Sequence, residues 1–232
     1  MKHKIDKYEK ALAGMFFIDV ADINQEILFQ DQSMELFKRI TGTHPATAAL
    51  ARTLNEKECE DISAIMFDQW GRAVQDMRDG FLTDPLYCFE YHTTKETQGI
   101  FCENALDYLD DHIDKLRSGK KRGIQRRMMQ IKNRLKLTKN EYKFLAFCYL
   151  LGRIPEFRDF FFNVVSILVP RGDMIKCLGL VFDVGDEEVY GLLHGRLEKA
   201  FFINSDNLTL NSKISRMIIG KQKKRPQKPR KN

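Results

Sequence analysis

The stretch LKLTKNEYKFLAFCYLLG, residues 135–152, decides the fold of the second half of this chain. Thr138 can cap a helix, and Glu141 three positions later completes a capping-box pattern. An almost unbroken apolar run then continues to Leu151, and Gly152 suits a C-terminal cap. The stretch therefore predicts an apolar helix that begins after Thr138 and runs through Leu151.

Short helices are predicted to follow this one. Pro155 fits the first turn of a helix over residues 156–168, because proline lacks the N–H that a first turn leaves unused. Asp173 can cap a third helix over residues 174–178, which Gly179 is expected to end. The spacing of these breaks predicts several short helices in close succession.

A helix opening at residues 185–188 is followed by a hairpin pattern. Two short apolar runs, residues 200–203 and 208–210, flank the turn residues 204–207, and this arrangement predicts a β-hairpin. A closing helix is expected from Ser212 onward. Two short helices, a tight connection and a two-stranded wing form a winged helix-turn-helix pattern.

Helices are also predicted before this region. Apolar residues recur at helical spacing over residues 33–40, 55–79 and 103–117, and Asn55 and Glu58 open the second of these with a capping-box pattern. A further helix over residues 124–135 has an apolar face and several basic side chains around it. The fold class predicted for the chain is therefore mainly α, with one small β-hairpin.

Charge is distributed unevenly along the chain. Residues 1–114 hold 11 basic and 22 acidic side chains, whereas residues 115–143 hold 12 basic side chains and one acid. Residues 144–220 are close to neutral, with 8 basic and 9 acidic side chains, and residues 221–232 hold 7 basic side chains and no acid. This pattern indicates an acidic body with two basic segments, which favours a polyanionic partner or docking of the opposite segments on each other.

The charge reversal coincides with a glycine-bearing loop at residues 118–123, which we take as a domain boundary. We predict an acidic helical domain over residues 1–117 and a winged-helix-like domain with a basic leading helix over residues 120–220. The proline-bearing basic tail, residues 221–232, has too little apolar surface to fold and is expected to be disordered.

Residues 136–219 resemble the winged-helix region that precedes the motor domain in certain bacterial AAA-plus ATPases. The motifs that carry the resemblance are LGL at 178–180, EEV at 187–189 and LTL at 208–210. The resemblance implies either a piece of such an ATPase, cut before the motor, or a free-standing relative of the winged-helix region. The sequence has no G-x-x-x-x-G-K-[ST] motif, so the phosphate-binding loop of such a motor is absent from it.

The basic side chains are the predicted nucleic-acid contacts, because lysine and arginine neutralise phosphates and release counterions. The alternatives are that the leading helix docks on the acidic half or is merely solvated, and that the tail is a localisation signal or a solvated terminus. The candidate residues are Lys120, Lys121, Arg122, Arg126, Arg127, Lys132, Arg134, Lys136, Lys223, Lys224 and Arg225.

The predicted recognition helix of the winged-helix pattern begins with Asp186, Glu187 and Glu188. Carboxylates at this position would repel the phosphate backbone, which argues against the usual major-groove docking of this helix. We therefore assign these three residues to contact with a protein partner; the alternative is a purely structural role.

No catalytic, metal or cofactor site is predicted. Cys88, His92, Cys102 and His112 lie within 25 residues, but they lack the close Cys or His pair that structural zinc sites use. No G-x-S-x-G motif occurs either. We therefore expect a protein that is not an enzyme.

The remaining expectations concern location. No signal peptide and no membrane-spanning stretch of about 18 apolar residues is found. The five cysteines are an odd, widely spread set, which favours free buried thiols in a reducing, cytoplasmic compartment.

The function predicted is a non-enzymatic regulatory or binding role, with DNA or RNA as the leading partner. The alternative is a protein-interaction or recruiting module associated with an AAA-plus-type ATPase.

Overall fold

The computed structural model is mainly helical over the part of the chain that it describes, which confirms the predicted fold class at that level. The predicted helix over residues 55–79 lies outside this part. The described residues are 5–45, 48–49, 95–118, 123–169, 173–200, 202–204 and 208–220.

The helices have well-defined bounds, and two short 3-10 helices, Gln25–Phe29 and Val165–Leu168, lie between them. In chain order the α-helices are α1 (Lys7–Ala21), α2 (Asp31–Thr41), α3 (Lys95–Arg117), α4 (Ile124–Leu135), α5 (Lys139–Arg153), α6 (Pro155–Asn163), α7 (Met174–Phe182), α8 (Asp186–Leu193), α9 (Arg196–Lys199) and α10 (Ser212–Ile219). Between α9 and α10, the strands β1 (Ile203–Asn204) and β2 (Thr209–Leu210) pair antiparallel in the hairpin that the sequence predicts.

Contacts between Cα atoms divide the chain into two units. Unit 1 consists of Met1–Gly119 and Ile154–Val189, and unit 2 consists of Lys120–Arg153 and Tyr190–Asn232. The sequence placed residues 154–189 with the C-terminal domain, whereas the contacts group this segment with the N-terminal half.

Aromatic packing explains this grouping. The side chain of Phe17 in α1 is fully buried and stacks on Phe160 of α6, with ring centroids 5.1 Å apart. Phe37 of α2 meets the same Phe17 ring edge-on at 6.2 Å. Phe16 lies 5.8 Å from Phe157 of α6. Burying large aromatic side chains is the main favourable term in such a core, so α6 belongs with α1 and α2.

A glycine lies where α1 meets α3 in unit 1. A Cβ on Gly14 of α1 would lie 2.6 Å from Cδ1 of Ile113 in α3, so the missing side chain leaves room for the Ile113 side chain. The start of α1 is closed by a capping box in which the N–H of Glu9 donates to Asp6 and the N–H of Asp6 donates to Glu9.

The junction of α7 and α8 differs from the prediction. The sequence predicted that Gly179 would end a helix, and this is wrong, because α7 continues to Phe182 and is capped by Asp183 at φ 54°. A Cβ on Gly179 would lie 3.0 Å from the carbonyl oxygen of Val184. The glycine therefore allows the following loop to approach α7 closely and does not end the helix.

In unit 2, α5 begins as the sequence predicts. The N–H of Thr138 donates to Glu141 Oε2 at 2.8 Å, and the N–H of Glu141 donates to Thr138 Oγ1 at 3.2 Å. The helix continues past Gly152 to Arg153, and its middle turns are buried. Strand β2 packs on α5, so the hairpin covers part of this buried helix.

Candidate nucleic-acid interface

The leading basic helix, α4, has the bounds that the sequence predicts, Ile124–Leu135. Ile124, Met128 and Ile131 are buried along one side, at the spacing of a single helical face. None of its twelve residues is acidic. The helix is therefore held by its apolar side and presents only basic or neutral groups elsewhere.

The opposite side of α4 carries an exposed row of polar side chains. Arg126, Gln130, Asn133 and Arg134 all lie at the surface, and their spacing places them on one face. Arg126 and Arg134 are separated by about 12 Å along the helix axis, at about 1.5 Å per residue. The four side chains make no hydrogen bond or ion pair with any residue that the structure describes. We call these four residues the α4 outer row.

Arg127 does not belong to this row. Its Nε and Nη2 atoms donate to the backbone carbonyls of Ile218 and Ile219, the second at 2.8 Å. These carbonyls end α10, where the unused acceptors of a helix carry partial negative charge. A Cβ on the next residue, Gly220, would lie 3.0 Å from Cζ of Arg127, and Gly220 has φ +79°. Arg127 therefore holds the end of α10 against α4.

Two further predicted contacts, Lys132 and Lys136, lie outside the α4 outer row and differ in exposure. The ammonium of Lys132 lies 5.1 Å from the centre of the Tyr142 ring, and its side chain is half-buried. Lys136 caps α4 in the left-handed region, at φ 50°, and its side chain is exposed. Lys132 thus stabilises the packing of α4 on α5, while Lys136 extends the exposed positive surface beyond the end of α4.

Arg196 is a structural arginine that the sequence analysis did not single out. Its Nη1 atom donates to the carbonyls of Leu135 and Lys136, at 2.9 and 2.7 Å, and so caps the C-terminal end of α4. Its Nε also lies 3.7 Å from Glu141 Oε1. No local sequence signal could have found this role, because the carbonyls lie about 60 residues away along the chain.

Unit 2 has a much larger excess of basic over acidic side chains than any continuous stretch of the sequence of similar length. It contains 22 basic and 3 acidic side chains, whereas unit 1 contains 16 basic and 29 acidic side chains. The near-neutral segment 144–220 accounts for the difference, because its acidic part, residues 154–189, belongs to unit 1. The two units therefore differ more in net charge than the segments of the linear sequence do.

The two described acids of unit 2 already have partners within it. Glu141 caps α5 and lies beside Arg196, while Glu198 lies 3.0 Å from Nδ1 of His194. The third acid, Asp206, lies outside the described residues. The exposed cations of α4 therefore have no described carboxylate to pair with.

The acidic candidates lie elsewhere. Asp186, Glu187 and Glu188 are exposed in the first turn of α8, and Val189 beside them is buried. These three acids belong to unit 1, so the contacts do not group them with α4. Their position also has a structural explanation, since carboxylates near a helix N-terminus interact favourably with the helix dipole.

The remaining predicted contacts cannot be placed on this surface, because they lie outside the described residues. These are Lys120, Lys121, Arg122, Lys223, Lys224 and Arg225.

Of the four zinc-type candidates, Cys88 and His92 lie outside the described residues. No group of three or more His, Cys, Asp or Glu side chains within the described ranges could hold a metal ion. Cys102 is buried, and this burial raises the pKa of its thiol to about 12. His112 stacks on Tyr108, and burial lowers the pKa of its imidazole. Both groups therefore have the properties of packed side chains.

A broad, open depression of about 550 Å³ lies along α7 and the start of α8. Lys176, Asp183 and Asp186 are its charged lining residues. It has neither the enclosure nor the convergent polar groups that are typical of a small-molecule site.

Helices in the described part of the chain are all too short or too polar to cross a membrane. Comparisons of the chain with protein-family models, curated proteins and solved structures found no match. The similarity to the region before AAA-plus motors therefore stays a prediction.

Proposed function

We propose that this protein is a non-enzymatic regulatory protein that binds nucleic acid through unit 2. The observation that carries this proposal is the α4 outer row, an exposed basic face on a helix without acids, in a unit with 22 basic and 3 acidic side chains. An exposed basic helix face in a unit with such an excess of basic side chains is the electrostatic footprint of a phosphate-binding site.

Binding would proceed by phosphate neutralisation. Arg126, Arg134 and Lys136 would contact phosphates directly, because their exposed side chains have no described acidic partner. Each such contact displaces condensed counterions, and the released ions provide the free energy. The basic residues before α4 and in the tail would add further contacts of the same kind.

We also propose a winged helix, but with α8 away from the nucleic acid. The β1–β2 hairpin would be the wing, and it lies in the same unit as α4. The acidic start of α8 would be repelled by phosphates, so α8 would not be the helix that approaches the nucleic acid.

The test is fluorescence anisotropy of labelled duplex DNA, single-stranded DNA and RNA with the full chain, over a salt series. Three phosphate contacts alone predict a slope of about −3 in a plot of log binding constant against log salt concentration. A second protein, in which all seven basic residues of the tail are changed to glutamine, separates the tail from α4; these residues are Lys221, Lys223, Lys224, Arg225, Lys228, Arg230 and Lys231. Binding that survives in this variant supports the proposal.

Two outcomes would contradict it. Binding that disappears with the neutralised tail would reduce the site to a non-specific arm. No binding of any nucleic acid even at low salt would overturn the proposal altogether.

A second candidate function is a protein-interaction or recruiting module associated with an AAA-plus-type ATPase. The observation in its favour is the exposure of three consecutive acids, Asp186, Glu187 and Glu188, in one helical turn. A basic protein partner would suit this turn. Changing the three acids to their amides would weaken such a complex and would leave nucleic-acid binding by unit 2 unchanged.

A further inference from the structure

We propose that α4 is a base-reading helix that enters the major groove of duplex DNA and gives the protein a sequence preference. This inference rests on the proposed function and goes beyond it, since phosphate neutralisation alone carries no sequence information. It assigns base contacts to Gln130 and Asn133, the two neutral members of the α4 outer row, which the charge pattern did not select.

The chemistry of the row carries the inference. Along the helix the exposed side chains are a guanidinium, two carboxamides and a guanidinium, on Arg126, Gln130, Asn133 and Arg134. Asparagine and glutamine pair bidentately with N6 and N7 of adenine, so the two carboxamides can distinguish base pairs in the major groove. The two arginines, at the ends of the row, would contact the flanking phosphates.

The two carboxamides are the informative members of the row. Gln130 and Asn133 are neutral, so they add nothing to phosphate neutralisation. Both are exposed, and neither donates to nor accepts from any side chain or backbone group in the described part of the chain. Their complete hydrogen-bonding capacity is therefore available to a ligand.

Contacts on the other sides of α4, away from the α4 outer row, hold the helix in place. Arg127 binds the last carbonyls of α10, and Arg196 binds the carbonyls at the end of α4. Lys132 lies over Tyr142 of α5. The backbone of a helix fixed on both flanks and at its C-terminal end loses little freedom when it binds, so only the exposed side chains of the outer row have to be ordered.

Size and shape select the ligand. A helix of twelve residues is about 18 Å long, and the B-DNA major groove, about 12 Å wide, admits such a helix. The major groove of double-stranded RNA is too deep and narrow for side chains to read. Duplex DNA is therefore the partner whose base edges this face fits.

The experiment begins with selection of a preferred duplex by the full chain from a random DNA library. Affinity is then measured for this duplex and for a shuffled duplex of equal composition, at one salt concentration. Changing Gln130→Ala or Asn133→Ala is expected to weaken binding to the preferred duplex about ten-fold, because one bidentate base contact is lost. Affinity for the shuffled duplex and the salt slope should change less than about two-fold, since no charge is removed.

A gain-of-specificity variant and a matched control complete the design. Gln130→Arg should change the selected base at one position from adenine to guanine, which a merely structural role of Gln130 cannot produce. Gln125→Ala removes a half-buried carboxamide from the side of the same helix, outside the row, and should leave the preference unchanged. The melting temperature of each variant verifies that it is folded.

The outcomes separate this inference from the proposed function. Salt-sensitive binding with no preference among duplexes would overturn base reading and leave phosphate binding intact. Equal weakening of both duplexes by Gln130→Ala and Asn133→Ala would overturn it too. Failure of the unchanged protein to bind any nucleic acid would overturn both.

Discussion

Changing Arg126 and Arg134 together to glutamine is expected to weaken binding to duplex DNA roughly 30-fold near physiological salt. Each lost phosphate contact removes about 0.9 from the salt slope, so the slope should become shallower by about two units. Both side chains are exposed and make no described contact within the protein, so folding should be unaffected. Anisotropy titrations over a salt series measure both quantities.

The matched control removes the same charge from unit 1. Lys115 and Arg117 are exposed in the last turn of α3, and changing both to glutamine should alter the affinity less than about two-fold. If this control weakens binding as much as the α4 variant does, then net charge and not the α4 outer row would be responsible.

The largest expected loss of stability comes from Phe17→Ala in unit 1. We expect the free energy of unfolding to fall by about 3–5 kcal/mol, because the change removes a large buried ring and leaves a cavity. Phe17 has no exposed surface and packs against Phe37 and Phe160. Urea denaturation followed by circular dichroism measures the loss.

Phe162→Ala is the control for this change. Phe162 lies in the same helix as Phe160, but 39% of its surface is exposed, so its removal should cost about 1 kcal/mol or less. Equal losses from the two substitutions would contradict the orientation of α6, which buries Phe160 against Phe17 and leaves Phe162 exposed.

Features with local signals were predictable from the sequence. The bounds of α4 followed from its apolar spacing, and the start of α5 followed from the Thr138 and Glu141 capping box. The hairpin followed from two short apolar runs around turn residues. In each case the residues that determine the element lie within a few positions of one another.

Features that depend on distant partners were not predictable. Arg126 and Arg127 are adjacent and equally basic, yet one is exposed and the other caps a helix that lies about 90 residues further along the chain. Gly179 has the sequence context of a helix end, but its role depends on how closely the Val184 carbonyl approaches.

The positive charge of unit 2 was not predictable from the sequence, because it too depends on contacts between distant residues. Residues 154–189 are acidic and follow a basic segment, so a linear count averages the two. The phenylalanines of α6 place this segment in unit 1, and the contacts that do so lie more than 100 residues apart in the sequence. Only the grouping of the folded chain shows how strongly basic the remainder is.

The most direct test of the proposed site is amide hydrogen exchange of the full chain with and without duplex DNA. The proposal predicts slower exchange over α4, residues 124–135, on addition of the duplex, and unchanged exchange in α1 and α3 of unit 1. Slower exchange confined to unit 1, or to the tail after Gly220, would contradict the assignment of nucleic-acid binding to the α4 outer row.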